Sequence, residues 1–270
     1  MAAELNAIVT DRTEVASGLI ILRVAPDGWE LPEWSSGQFA TLGLPESAPR
    51  IMLADPEPPS ENPDKLIRRA YSIASAPADR TYLEFYITLV HSGALTPRLF
   101  ALQPGDGVLL GKKITGMFTL ADVPAGNHLV LVGTGTGLAP YMSMLRDELQ
   151  CRPAQHTAVL LGARHSWDLG YRGELIAMQR FCPTFHYIPV ISRPQEELIP
   201  WSGQTGYVQD LWEKGVVAQA LGGTPSPENT HVLLCGNPGM IEGMMERLGA
   251  EGFNEHTRQQ AGQIHVEKYW

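Results

Sequence analysis

Three glycines in five residues, Gly133-Thr134-Gly135-Thr136-Gly137, stand between a continuous apolar run and a helix-spaced one. Residues 128–132 before them read as a buried strand. Leu138, Tyr141, Met142, Leu145 and Leu149 after them recur at helical spacing. Glycine permits a tight turn, and a helix N-terminus offers N–H groups and a favourable dipole, so this stretch can hold a phosphate. Its G-x-G-x-G spacing differs from the dinucleotide fingerprint G-x-G-x-x-G, and such turns also serve packing alone. A related turn, Cys235-Gly236-Asn237-Pro238-Gly239, follows the apolar residues 231–234. Asn237 suits a helix N-cap and Pro238 the first helical position. A lone cysteine at such a strand end, here Cys235, is ordinarily a small apolar group.

The ends of two further strands carry charge. Sites for NAD place a carboxylate after the second strand to bind ribose hydroxyls, whereas NADP sites place arginine there. This chain has Gly162-Ala163-Arg164-His165, and its third strand ends in Ile191-Ser192-Arg193. Arg164, Ser192 and Arg193 together suit a 2′-phosphate; either arginine alone would read as a solvated surface residue. In the first half, Arg69-Ala70-Tyr71-Ser72 sets a phosphate-pairing arginine beside a ring and a hydroxyl. The simpler reading of that stretch is a β-strand with alternating side chains. Gly93-Ala94-Leu95-Thr96 before Pro97 reads either as a phosphate turn or as a capped helix start. Lys112-Lys113-Ile114-Thr115-Gly116-Met117-Phe118-Thr119 is a weaker candidate of the same kind.

The elements that position these residues fall into two classes. At 270 residues the chain is long for one core, and two domains are expected. Residues 1–123 show short strands and Pro/Gly turns, as in a small antiparallel β-barrel. Residues 19–24 form one strand, and residues 82–90 alternate as a half-buried one. Residues 45–65 are rich in Pro and acid with little periodicity, a surface loop long enough to suggest function or disorder. Residues 124–270 alternate strand and helix: strands near 128–132, 157–161, 185–190 and 231–234, helices near 138–149, 172–181, 207–214 and 238–248. That order predicts a doubly wound parallel sheet with ligands at the carboxyl ends of its strands.

Composition narrows the function classes. With 44% hydrophobic and 18% charged residues the chain is globular, and a net charge of −9 argues against nucleic acid as the main partner. Cys151, Cys182 and Cys235 are too widely spaced for a metal or iron–sulfur pattern or a disulfide framework. The N-terminal residues lack the pattern of a signal peptide, and no apolar run approaches a membrane span, so a soluble cytoplasmic protein is expected.

Taken together, the chain resembles the bacterial type of ferredoxin–NADP reductase over nearly its whole length. The residues that carry this are Arg69-Ala70-Tyr71-Ser72, the turn 93–96, Gly133 to Pro140, Cys235-Gly236-Asn237-Pro238, and the terminus His265-Val266-Glu267-Lys268-Tyr269-Trp270. The resemblance implies an N-terminal FAD-binding barrel followed by an NADP(H)-binding α/β domain, forming two halves of a cleft. Arg69 would meet the FAD pyrophosphate, Tyr71 the isoalloxazine and Ser72 the reactive flavin nitrogen, with Ala70 among the cofactor-binding residues. Tyr86, Thr88, Gly93, Thr96, Gly116 and Thr119 match positions lining the flavin and its phosphates. Gly133 to Gly137 (with Thr134, Gly135 and Thr136 between) and Gly236, Asn237 and Pro238 would frame the nicotinamide and its pyrophosphate. Ser192, Arg164 and Arg193 would clamp the 2′-phosphate. Tyr269 would cover the flavin and Trp270 the FAD adenine.

In that reading Ser72, Cys235, Glu267 and Tyr269 surround the hydride contact, and Glu267 tunes proton movement. Where some relatives carry a third basic residue after Thr-Gly, this chain has Tyr207, which could stack on adenine but removes one charge from the clamp. The resemblance further implies single-electron transfer to ferredoxin or flavodoxin through a basic patch, for which Lys65, Arg68, Arg98, Lys112 and Lys113 are candidates; a monomer is expected because the fold requires no partner subunit. Two alternatives stand beside it. One is an NADH-preferring reductase component of an oxygenase, disfavoured by the missing cysteine cluster. The other is a non-catalytic nucleotide-binding electron relay.

Overall fold

The computed structural model describes residues 5–268. Tyr269 and Trp270 lie outside the described residues. By internal contacts the chain divides into two units. One holds the chain up to Thr119 together with the segment Ala139–Asp147. The other holds Leu120–Leu138 and the chain from Glu148 onward. The expected boundary at 123/124 falls four residues after the first of these crossings. The helix that follows the glycine turn groups with the first unit.

The first unit is an antiparallel sheet of β1 (Ala7–Ala16), β2 (Leu19–Pro26), β3 (Phe39–Pro45), β4 (Leu66–Ser72), β5 (Leu83–Thr88) and β6 (Gly107–Leu110), with helix α1 (Thr96–Ala101) between β5 and β6. The strand order is β4-β3-β6-β1-β2-β5. An antiparallel bridge from Ile73 to Phe85, with Ala74 N donating to Glu84 O, joins the ends of that order into a barrel. Gly18, at φ +82°, makes the tight turn between β1 and β2. Alternation along β2 sends Ile20, Leu22 and Val24 into a core shared with Leu42, Phe85, Ile87, Val108 and Leu110. Each such side chain contributes about 1.5–3 kcal/mol by its burial.

β5 differs from the half-buried strand its alternation predicts: every residue from Leu83 to Ile87 is buried. Helix α2 (Ala139–Glu148) supplies the cover on the second face. Its Arg146 donates to Glu84 Oε1 at 2.7 Å and to Ala74 O at 2.8 Å, while Arg23 Nε donates to the other Glu84 oxygen at 2.8 Å. Ser143 Oγ donates to Ser75 O at 2.8 Å. A buried carboxylate is tolerated because two guanidinium groups share it. Periodicity within one strand carries no sign of a cover coming from sixty residues away.

The long loop between β3 and β4 is fastened down. Glu46 accepts from Ser60 Oγ at 2.5 Å and pairs with Lys65 at 3.1 Å. Glu57 pairs with Arg50 at 2.5 Å and with Arg98. Asp55 N donates to His91 O, Ile51 N donates to Pro97 O, and His91 Nδ1 lies 2.7 Å from Leu53 O.

The second unit is a parallel sheet of β7 (His128–Thr134), β8 (Thr157–Ala163), β9 (Phe185–Ile191), β10 (Gln204–Thr205), β11 (Thr230–Cys235) and β12 (Ile264–Glu267). It also holds α3 (Arg172–Phe181), α4 (Val208–Glu213), α5 (Val216–Leu221) and α6 (Pro238–Ala250). The order β10-β9-β8-β7-β11-β12 reverses direction between β7 and β11, which is the topological switch point. Val130, Val132, Ala158, Leu160, Val190, Val232, Leu234 and Ile264 bring the sheet into the core. The four expected strands and four expected helices of this half are present, and α5, β10 and β12 join them. Contrary to the expectation from spacing, Cys151 and Cys182 are joined by a disulfide, with Cα atoms 5.3 Å apart. The reason is the parallel topology: Cys151 follows one helix and Cys182 follows another, and both chains are turning back to start adjacent strands. No helix among the described residues is long and apolar enough to cross a membrane.

Candidate functional site

The second unit gathers its expected residues at one sheet edge. Cys235 lies in register with Gly133 on β7 and with Glu267 on β12, so the three lie together near the carboxyl ends of neighbouring strands beside the switch point. Gly133 leads into a single 3₁₀ turn over residues 135–138. Two glycines there are required for different reasons. A Cβ on Gly137 would lie 2.2 Å from Cys235 O, so the two turns touch backbone to backbone. Gly135 has φ +54°, and a Cβ there would meet nothing within 4 Å. One glycine seals the turn, and the other faces open space.

Thr134 ties the two turns together: its hydroxyl accepts from Asn237 N at 2.8 Å, and Gly236, at φ +131°, passes so close that a Cβ would meet that hydroxyl at 2.4 Å. Asn237 Oδ1 in turn accepts from Met240 N, which caps α6, with Pro238 in its first turn. The arrangement is a cradle of small residues and backbone amides, the donor set a pyrophosphate needs. Cys235 itself is fully buried.

Farther along the same edge, Ser192 N donates to Ala163 O and Arg193 N to Arg164 O, which sets Arg164, Ser192 and Arg193 side by side. Gly206 N donates to Ile191 O, and this brings Tyr207 to the same place, 67% exposed. Tyr207 N donates to Asp210 Oδ2 at 2.8 Å. Arg164 is exposed and makes no ion pair among the described residues. Arg193 is engaged: its Nη1 lies 3.5 Å from Glu196 Oε2. The same carboxylate oxygen lies 2.8 Å from His165 Nε2, and His165 Nδ1 lies 3.1 Å from Asp168. The hydrogen bond to Glu196, then that to Asp168, raises the His165 pKa above its ordinary 6.5, and the His165 bond lowers that of Glu196. His165 also stacks on Trp167 at 4.4 Å. Sequence reading did not single out His165, Asp168 or Glu196; a histidine and acids within a few residues of both arginines were the available signal.

In the first unit, Arg69 and Ala70 are exposed on the edge strand β4, Tyr71 is half-buried and Ser72 is buried. Tyr71 packs edge-on against Phe85 at 6.4 Å, and burial holds its phenol well above the ordinary range, so it stays neutral. Ser72 lies opposite Phe39, and Phe39 bridges to Thr115 next to Gly116. Gly116, at φ +138°, accepts at its carbonyl from Gln38. Tyr86 is 3% exposed, whereas Thr88, two residues on, is exposed.

Thr96 does not cap α1: Leu95 stands at the cap, and the Thr96 hydroxyl accepts from Val90 N at 3.0 Å and donates to Val90 O. The turn 93–96 is instead tied to the loop before β4, where Arg50 reaches Gly93 O. Arg98, expected to be a docking cation, is 2% exposed and bonds Glu57, Ala94 O and Glu46 O. It fastens that loop and is removed from the basic patch. Helical position after Pro97 could not reveal this, because its loop partners Glu57 and Glu46 lie 41 and 52 residues away.

Comparison with known proteins agrees with this geometry. Residues 131–246 match the oxidoreductase NAD-binding domain family. A flavodoxin/ferredoxin–NADP reductase of Buchnera aphidicola is 31% identical over 88% of each chain. That of Escherichia coli K12 is 32% identical over 77% of this chain and 76% of its own. A ferredoxin NADP+ reductase of Neisseria gonorrhoeae, solved with FAD and NADP bound, superposes with a TM-score of 0.81 at 25% identity over both full chains. With the two-sheet fold, the switch-point cradle and these relatives in agreement, the chain belongs to the flavodoxin/ferredoxin–NADP reductase family.

Proposed function

We propose that this protein is an FAD-dependent reductase that exchanges a hydride with NADP(H) and single electrons with a ferredoxin or flavodoxin. The observation that carries this reading is the register of Gly133, Cys235 and Glu267 at the switch point, beside a turn with one sealed and one open glycine. The relatives named for this reaction support it. A bound flavin supplies the change from two-electron to one-electron chemistry.

The chain's own residues bind, orient and exclude water. Arg69, exposed at the sheet edge, suits the FAD pyrophosphate, and the half-buried Tyr71 offers a neutral ring for stacking. Ser72 places a hydroxyl at the end of the same strand. The glycine cradle with Thr134 and Asn237 suits the pyrophosphate of NADP(H), and Arg164, Ser192 and Arg193 its 2′-phosphate. Cys235 packs as a small buried group where the nicotinamide must approach. Glu267, in register with Cys235 on the adjacent strand, would hold a proton there. Positioning is the main catalytic contribution of such a site.

For the acidic electron partner, Lys65, Arg68, Lys112 and Lys113 remain as the basic groups, Lys65 already paired with Glu46 and Lys112 lying over Trp29. A monomer and a cytoplasmic location complete this reading. A second reading, preference for NADH, draws support from Tyr207 in place of a third cation and from Glu196 on Arg193.

The test is the purified protein: it is yellow, heat releases FAD, and NADPH drives reduction of a [2Fe–2S] ferredoxin. A colourless protein that takes up no added FAD overturns the reading.

A further inference from the structure

Arg164 and Arg193 are not equivalent, although both end strands at one sheet edge. Arg164 has no ion-pair partner among the described residues. Arg193 shares a carboxylate oxygen of Glu196 with His165, at 3.5 and 2.8 Å. We propose that Glu196 is a built-in competitor for the 2′-phosphate of the nucleotide, and that His165 decides how strongly it competes. This rests on the reading of Arg164, Ser192 and Arg193 as the 2′-phosphate clamp.

The physical argument is one of shared charge. A carboxylate oxygen 3.5 Å from Arg193 Nη1 competes with a phosphate for that nitrogen, so the arginine is free for the ligand only part of the time. Apparent affinity falls by that fraction. Glu196 has a second partner, and its pull depends on protonation. Charged His165 makes a charge-assisted bond that holds Glu196 when Arg193 turns to the phosphate. Neutral His165 holds it less well, and Glu196 returns to Arg193. NAD(H) has no phosphate to displace and is indifferent to this exchange. Specificity therefore arises from a repulsive group as well as from attractive ones.

The other charges facing the pair are few. Asp168 meets the far side of His165. Glu197 is bonded to Ser166 N and Oγ, with Arg172 near it and stacked on Trp201. Asp210 is held by Tyr207 N. Geometry makes the exchange available, and the raised His165 pKa sets its direction. The charged form is present below that raised value and is lost as the pH rises through it.

Binding of 2′,5′-ADP and of 5′-ADP, measured by calorimetry from pH 7 to 9, separates the contributions. Over that range the 2′-phosphate is already close to its full charge, its second pKa being about 6. In the unaltered protein the preference for 2′,5′-ADP falls as the pH rises. Glu196→Gln tightens 2′,5′-ADP by about three- to five-fold, the scale of one exposed charge pair, leaves 5′-ADP unchanged and flattens the pH dependence. His165→Gln weakens 2′,5′-ADP alone and also flattens it. Equal effects of Glu196→Gln on both ligands, or a pH dependence that survives it, overturn the competitor. Arg193→Ala distinguishes the two levels. If it leaves the 2′,5′-ADP preference intact, the clamp reading itself falls and takes the competitor with it. If it abolishes the preference while Glu196→Gln is silent, the clamp stands and the competitor alone is wrong.

Discussion

The two edges of the parallel sheet are made of opposite materials. At the carboxyl ends of β7, β8, β9, β11 and β12 stand Thr134, Ala163, Ile191, Cys235 and Glu267, followed by glycines, hydroxyls and two arginines. At the amino ends of the same strands lie His128, His156, His186, His231 and His265. His156 N donates to His128 Nδ1, and His156 Nδ1 lies 3.0 Å from His186 Nε2. His231 Nδ1 lies 3.0 Å from His265 Nε2, and His256, held by Asp122 at 3.4 Å, stacks on His265.

A contact between two imidazole nitrogens needs one neutral acceptor, so two charged rings cannot share it. Burial lowers the pKa values of His128, His186 and His231, and takes His265 down to about 4. One edge leaves backbone amides and cations for an anion. The other closes the sheet with polar rings that satisfy one another. The fold therefore separates binding from stability along the strand direction, and damage to either edge should show in a different measurement.

The largest expected effect is at the sealed glycine. Gly137→Ala drives a Cβ into Cys235 O, and the two turns must part. NADP(H) affinity should fall about a hundred-fold, as misplacement near 1 Å does elsewhere, with the flavin spectrum retained. Nucleotide binding by fluorescence quenching measures it; unchanged affinity would show that the turns do not need to touch.

The histidine edge comes next. The unfolded His265 takes a proton near 6.5 and the folded one only near 4, so stability is fully present above 6.5 and is lost as the pH falls towards 4. His265→Asn should remove on the order of 2 kcal/mol of this acid sensitivity without altering NADP(H) affinity. Urea unfolding at a series of pH values tests it, and an unchanged slope would contradict the assignment.

Smaller still, Glu267→Gln should lower turnover about ten-fold with little change in KM, less than a full general-acid contribution. Reversing Arg68 and Lys113 to glutamate should slow ferredoxin reduction several-fold and flatten its salt dependence, measured by stopped flow across ionic strength. An unchanged salt slope would remove the docking face.

Much of this was legible in the chain because the binding edge follows local rules. Continuous apolar runs marked β7, β8, β9 and β11, and glycine, asparagine and proline marked the turns that follow them. What escaped was short or long-range. β12 is four residues entered from polar sequence, and α5 is cut from α4 by Gly215 at φ +70°. β1 buries only Ala7 and Val9 and carries Asp11, Arg12 and Glu14 in its second half, so it shows little apolar signal of its own. The burial of Glu84 and Arg98, the Cys151–Cys182 bond, the row of histidines and the Glu196 bridge each depend on residues that only the fold brings together. No spacing rule within one element reports such pairs.

The central claim is that the second unit presents NADP(H) to a flavin. Anaerobic titration of the FAD-loaded protein with NADPH and, separately, NADH, followed at the flavin absorbance maximum, tests it most directly. The account predicts bleaching by NADPH at near-stoichiometric amounts and much weaker bleaching by NADH at the same concentrations. Equal bleaching by NADH would contradict the 2′-phosphate clamp, and a flavin that neither nucleotide reduces would contradict the reductase itself.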